Sequence, residues 1–97
     1  MPISLKVENQ IHDVIRLITK PITELRTFCV KLPESNLLRG IDPWGDTYFN
    51  EVQLRYVLAE LPALSEKYPE HEEMLQVIGE AAEEAIMARG YLKFVGD

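Results

Sequence analysis

Two groupings of side chains in this 97-residue chain are of the types that do chemistry. Asp42, Asp46, Asn50 and Glu51 lie close together, and their oxygens could hold a hard cation. A calcium loop, however, needs Gly at its sixth position and Glu at its twelfth. Counted from Asp42, those positions hold Thr47 and Gln53. The structural alternative is that Asp42 and Asn50 bond backbone groups, while Asp46 pairs with a nearby N–H or with Arg39. His12, Cys29 and His71 are the other grouping, the raw material of a nucleophilic or metal site. None of them stands in a motif, and such sites need convergent geometry. Cys29 reads as a small buried hydrophobe. The expectation is therefore no catalytic residue, no metal, no cofactor and no enzyme.

Two further features suit recognition rather than reaction. Trp44 stands at a turn tip, where it either anchors an interface or folds back over its own hairpin. Glu73, Glu80 and Glu84 recur at spacings of seven and four along a helical pattern, with Glu72, Gln76 and Glu83 beside them. This acidic ridge is either a solvated face or a docking surface for a basic partner, in which carboxylates imitate phosphates.

The stretch from Gly40 to Gln53 positions these groups. Asp42-Pro43-Trp44-Gly45 has type I turn chemistry: Asp accepts from a backbone N–H, Pro pre-sets φ, and Gly takes φ > 0 to form a bulge. Strands are expected on both sides, at Leu37–Ile41 and Thr47–Phe49. Asn50 then reads as a helix N-cap. Gln53 completes a capping box, and Phe49 and Leu54 close a hydrophobic staple.

Elsewhere, alternation at Ile3, Leu5 and Val7 predicts a half-buried strand. After a turn at residues 8–10, residues 11–18 fit either a helical face or a strand, and their wealth of Ile and Val favours a second strand paired with the first. Thr19-Lys20-Pro21 opens a helix from about 21 to 31, stopped by Pro33. Leu54, Val57, Leu58 and Leu61 form a helical stripe that Pro62 ends or kinks. A long amphipathic helix runs from Pro69 to Arg89, with Leu75, Ile78, Ala82, Ala85 and Ile86 on one stripe. Its acidic start suits the helix dipole, and Gly90 supplies the stop. Tyr91–Val95 is a last strand, inserted beside an earlier one. Together these predict one α+β domain over residues 1–97: a small, mainly antiparallel sheet of about five strands with two to three helices packed on one face.

Asp42 to Gln53 and Tyr91 to Asp97 resemble two blocks of a family of small uncharacterised bacterial proteins, D-P-[YW]-G-D-T-x-F-N-x-x-Q and Y-L-x-F-[IV]-G-D. The resemblance covers about a fifth of the chain. It implies a small soluble bacterial protein, and it carries over no activity and no catalytic residue.

Charge narrows the partner. The net charge is −6, and it is uneven. Residues 1–41 hold six basic and four acidic groups, +2, and residues 42–97 hold four basic and twelve acidic groups, −8. Such a balance disfavours nucleic acid and suits a basic protein surface. No apolar run approaches a membrane span, no signal-peptide core is evident, and the lone cysteine excludes a disulfide framework, so a cytoplasmic location is expected. The leading expectation is an acidic protein-binding domain, with an immunity or antitoxin-like inhibitor as its most concrete version. The alternatives are a ligand- or cation-binding module at the Asp42–Asn50 turn and a homo-oligomer, such as a homodimer, joined through an edge strand.

Overall fold

The computed structural model describes residues 3–18 and 24–96. Strands β1 (Ser4–Glu8), β2 (Val14–Ile18), β3 (Asp46–Phe49) and β4 (Tyr91–Val95) form one antiparallel sheet of order β2-β1-β4-β3. Helices α1 (Leu25–Val30), α2 (Glu51–Lys67) and α3 (Glu72–Met87) accompany it. The fold is α+β, as composition and periodicity predict, with four strands among the described residues rather than about five.

The first hairpin has the strand expected within residues 11–18, but only from Val14 to Ile18: the turn expected at 8–10 lies at 9–13. Its turn is fixed by Asn9, whose Oδ1 accepts from the N–H groups of Ile11 and Asp13, both at 3.0 Å. His12 takes φ 65° there, a conformation in which His is tolerated better than most residues. Alternation then sorts β1 and β4. Leu5, Val7, Leu92 and Phe94 are buried toward the helices, whereas Lys6, Tyr91 and Lys93 stand on the other face. Helix α3 supplies the opposing layer with Met74, Leu75, Val77, Ile78, Ala81, Ala82 and Ala85.

Three sequence readings need correction. The strand expected at Leu37–Ile41 is a 3₁₀ turn, Leu37–Gly40. The two residues that bury themselves are Leu38 and Ile41, a spacing of three that matches 3₁₀ periodicity rather than strand alternation. The Glu60 carboxylate accepts from the Leu37 N–H at 3.0 Å and locks the turn to α2. Pro62 does not end α2, which continues to Lys67. Its ring is exposed while Leu61 and Leu64 are buried, so the missing N–H lies on the solvent side and the apolar stripe carries the helix on.

The third correction concerns glycine. Neither Gly45 nor Gly90 has positive φ. Arg89 takes the left-handed conformation instead, φ 55°, and ends α3 in a Schellman motif. The Gly90 N–H donates to the Ala85 carbonyl (3.0 Å) and the Arg89 N–H to the Ile86 carbonyl (2.9 Å). Helix α1 matches the part of the expected 21–31 helix that is described; its proposed start at Thr19-Lys20-Pro21 lies outside the described residues.

Candidate functional site

The turn at residues 42–45 forms as its composition dictates. Asp42 Oδ1 accepts from the Trp44 N–H at 2.9 Å, and the Gly45 N–H reaches the Asp42 carbonyl at 3.4 Å. Asn50 and Gln53 make both halves of the capping box at 2.9 Å each, and Phe49 and Leu54 are buried in the same core. The insertion of β4 between β1 and β3 joins the two sequence blocks. Asp46 pairs with Val95 and Phe49 with Leu92, and the Gly96 N–H donates to the Gly45 carbonyl at 2.7 Å. A Cβ at Gly96 would lie 2.6 Å from the carbonyl oxygens of both Pro43 and Gly45. One at Gly45 would lie 2.7 Å from Asp42 Oδ2. Gly96 is set by the close approach of backbone, whereas the neighbour of Gly45 is a side chain of its own turn.

The oxygen ligands considered for a cation have other partners. Asp42 and Asn50 cap backbone N–H groups, Asp46 lies 3.5 Å from Lys93 Nζ, and Glu51 lies 3.1 Å from Arg55. Among the described residues no three His, Cys, Asp or Glu side chains gather as a metal site would require. His12, Cys29 and His71 stand apart in role. Cys29 is buried in the core, where desolvation raises its thiol pKa, the opposite of a reactive thiolate. His71 packs edge-on to Phe28, with ring centroids 4.9 Å apart.

His12 belongs to a cluster on the open sheet face that the sequence did not suggest. Its ring stacks on Tyr91 at 4.2 Å, and its Nδ1 lies 2.8 Å from Oε1 of buried Glu8. Tyr48 stands edge-on at 5.3 Å. Lys93 Nζ lies 5.2 Å from the Tyr48 ring centroid, and Tyr48 first, with Asp46 nearby, raises its pKa above the ordinary value. The signal was weak because the partners come from three separate strands and a turn.

Trp44 is 70% exposed, yet it is not a free ring. The Arg26 guanidinium lies 4.5 Å from the ring centroid, and its Nη2 donates to the Pro43 carbonyl at 3.2 Å. The tip is thereby tied to α1 by a cation–π contact.

The acidic residues divide. Glu84 is reached by Arg16 across to β2 at 3.4 Å. Glu73 is exposed on the first turn of α3. Glu80 joins Glu72, Gln76 and Glu83 around a groove of about 410 Å³ between α2 and α3. Leu58, Leu61, Pro62 and Leu75 give that groove an apolar lining. No ion-pair partner stands within 4 Å of Glu72, Glu73, Glu80 or Glu83 among the described residues. Gly79 lets the helices approach, since a Cβ there would meet Leu61 Cδ1 at 3.1 Å. That glycine was the available clue: in a helix interior it costs about 1 kcal/mol relative to alanine, a cost that close helix packing explains.

The molecule defined by this fold is a small α+β domain with an acidic groove on its helical layer. No helix among the described residues is long and apolar enough to cross a membrane. Comparison with protein-family models, with curated proteins and with solved structures finds no match for this chain.

Proposed function

We propose that this chain is an acidic protein-binding domain that acts by occlusion rather than by chemistry, and that its partner presents a basic surface. An immunity or antitoxin-like inhibitor is the most concrete form of this reading. The observation that carries it is the groove between α2 and α3, which combines an apolar lining with a rim of Glu72, Glu80 and Glu83. A merely solvated face needs no such lining. Basic side chains with aliphatic stems match both halves of the groove, since Lys and Arg lay their stems on apolar surface while the charge meets carboxylates. The uneven charge supports the same reading, because residues 42–97 carry −8. Glu73 extends the acidic field at the start of α3, Glu84 is shared with Arg16, and Trp44 is the alternative anchor.

The test is to isolate the partner from the native host and measure association with wild type, with a Glu80→Gln/Glu83→Gln variant, and with Trp44→Ala. The charge variant should stay folded, associate more slowly, and show a flatter salt dependence as steering is lost. Association rates and salt slopes identical to wild type would reject the groove as the docking surface. A loss confined to Trp44→Ala would move the interface to the turn.

A further inference from the structure

Strand β2 reads Val14-Ile15-Arg16-Leu17-Ile18. Four of its five residues are aliphatic, on both sides of the strand. Interrupted only by Arg16, it places apolar side chains on both faces, where a half-buried strand would alternate. Among the described residues it is a sheet edge, hydrogen-bonded to β1 alone. Val14 is 51% exposed, Ile15 48% and Leu17 54%, and Ile11 in the adjoining turn is 75% exposed. These apolar side chains therefore lack cover from the described residues.

Among the described residues the protection of this edge is slight: β2 has no proline, and its pairing with β1 is irregular only at Ile15. Edge strands are commonly guarded by Pro, by outward charges or by covering loops, because their free N–H and C=O groups recruit other strands. Within β2 the one charge is Arg16, and Glu84 engages it at 3.4 Å. The opposite edge differs: β3 has four residues and begins with Asp46, beside Lys93.

We propose that β2 pairs antiparallel with β2 of a second copy of this chain, joining two four-stranded sheets into one of eight. The choice of a second copy rests on charge and symmetry. On a chain of net charge −6, like molecules meet most easily where charge is sparse and compensated, and within β2 the one charge, Arg16, is met by Glu84. An antiparallel strand pairs with its own copy about a two-fold axis, and that contact closes after two chains. Five residues of strand with three exposed aliphatic side chains, and Ile11 beside them in the turn, make a small interface, so the dimer forms at high concentration and dissociates on dilution.

Sedimentation velocity from ~1 to ~500 µM, a range spanning weak to moderate affinities, tests the proposal. Wild type should move from the 11.1 kDa chain toward twice that mass. An Ile15→Lys/Leu17→Lys variant should remain monomeric, because edge lysines block pairing. If those lysines unfold the chain, Ile15→Thr/Leu17→Thr keeps strand propensity and removes the apolar contact. Val52→Lys on exposed α2 is the control and should still dimerise. Amide exchange in β2 of wild type should slow as concentration rises, which needs no variant. A wild-type monomer at every concentration overturns the proposal. So does unchanged exchange in β2, a dimer that persists in a folded β2 variant, or a ladder of larger species from head-to-tail pairing. The Glu80→Gln/Glu83→Gln variant should dimerise normally, so failure here is distinct from failure of the groove.

Discussion

Arg89 has the least comfortable backbone in the described chain for a residue of its size. A left-handed conformation costs an L-residue roughly 1–2 kcal/mol, and glycine avoids that cost. The Schellman motif requires it here, and the sequence places glycine one position later, at Gly90. Gly90 cannot exchange roles with its neighbour, because a Cβ there would lie only 1.9 Å from the Glu8 carbonyl oxygen. Arg89→Gly should therefore stabilise the protein by about 1 kcal/mol, less than the full penalty because glycine adds freedom to the unfolded chain. A urea midpoint at or below that of wild type would show that the arginine side chain offsets its backbone. The same comparison explains one limit of the sequence. Gly90 reads as a helix stop, but what Gly90 and Gly96 avoid is a collision with backbone brought in by a distant segment. Chain neighbours do not report such a collision.

At the scale of elements, local signals were legible wherever one periodicity dominated. Alternation places β1, and the residue types place β2 and β4. The helical stripes place most of α2 and α3. The failure at Leu37–Gly40 has a definite cause: two adjacent leucines and an isoleucine three residues beyond the second satisfy strand alternation and 3₁₀ spacing almost equally. The Glu60 contact that decides between them comes from α2. The start of α2 is the contrasting case, because all its determinants lie within a few residues. Asn50 has extended backbone geometry and accepts from the Gln53 N–H, while Gln53 returns a bond to the Asn50 N–H. Asn50→Ala should cost about 1 kcal/mol and Asn50→Gly only a few tenths, since glycine tolerates the cap geometry. Denaturation midpoints of the two variants check this. Equal losses would mean that the Asn50 side chain has a second role, and a ligand contact at the turn would regain weight.

For the whole molecule, the fold sorts the sequence into surfaces that composition alone does not reveal. The net charge of −6 is visible at once, but the gathering of Glu72, Glu80 and Glu83 around an apolar groove depends on how α2 crosses α3. If that rim is kept for a partner, it should be held against stability rather than for it. Glu80 faces Glu83 and Glu84 one turn on, and like charges at these spacings destabilise a helix by about 0.2–0.5 kcal/mol per pair. Among the described residues its partner is a long contact with Gln76 Nε2, 3.5 Å. Glu80→Gln should thus raise stability by about 0.5 kcal/mol, or Tm by about 2–4 °C for a domain of this size. The gain should shrink as salt rises from about 20 to 500 mM, because screening relieves the same repulsion in wild type. Thermal melts of both proteins at the two salt concentrations decide the matter. A lower Tm for Glu80→Gln would show that the carboxylate serves the fold. A gain insensitive to salt would assign the effect to packing or helix propensity. A salt-sensitive gain together with slower partner association would mean that the carboxylate is retained for binding at the expense of stability.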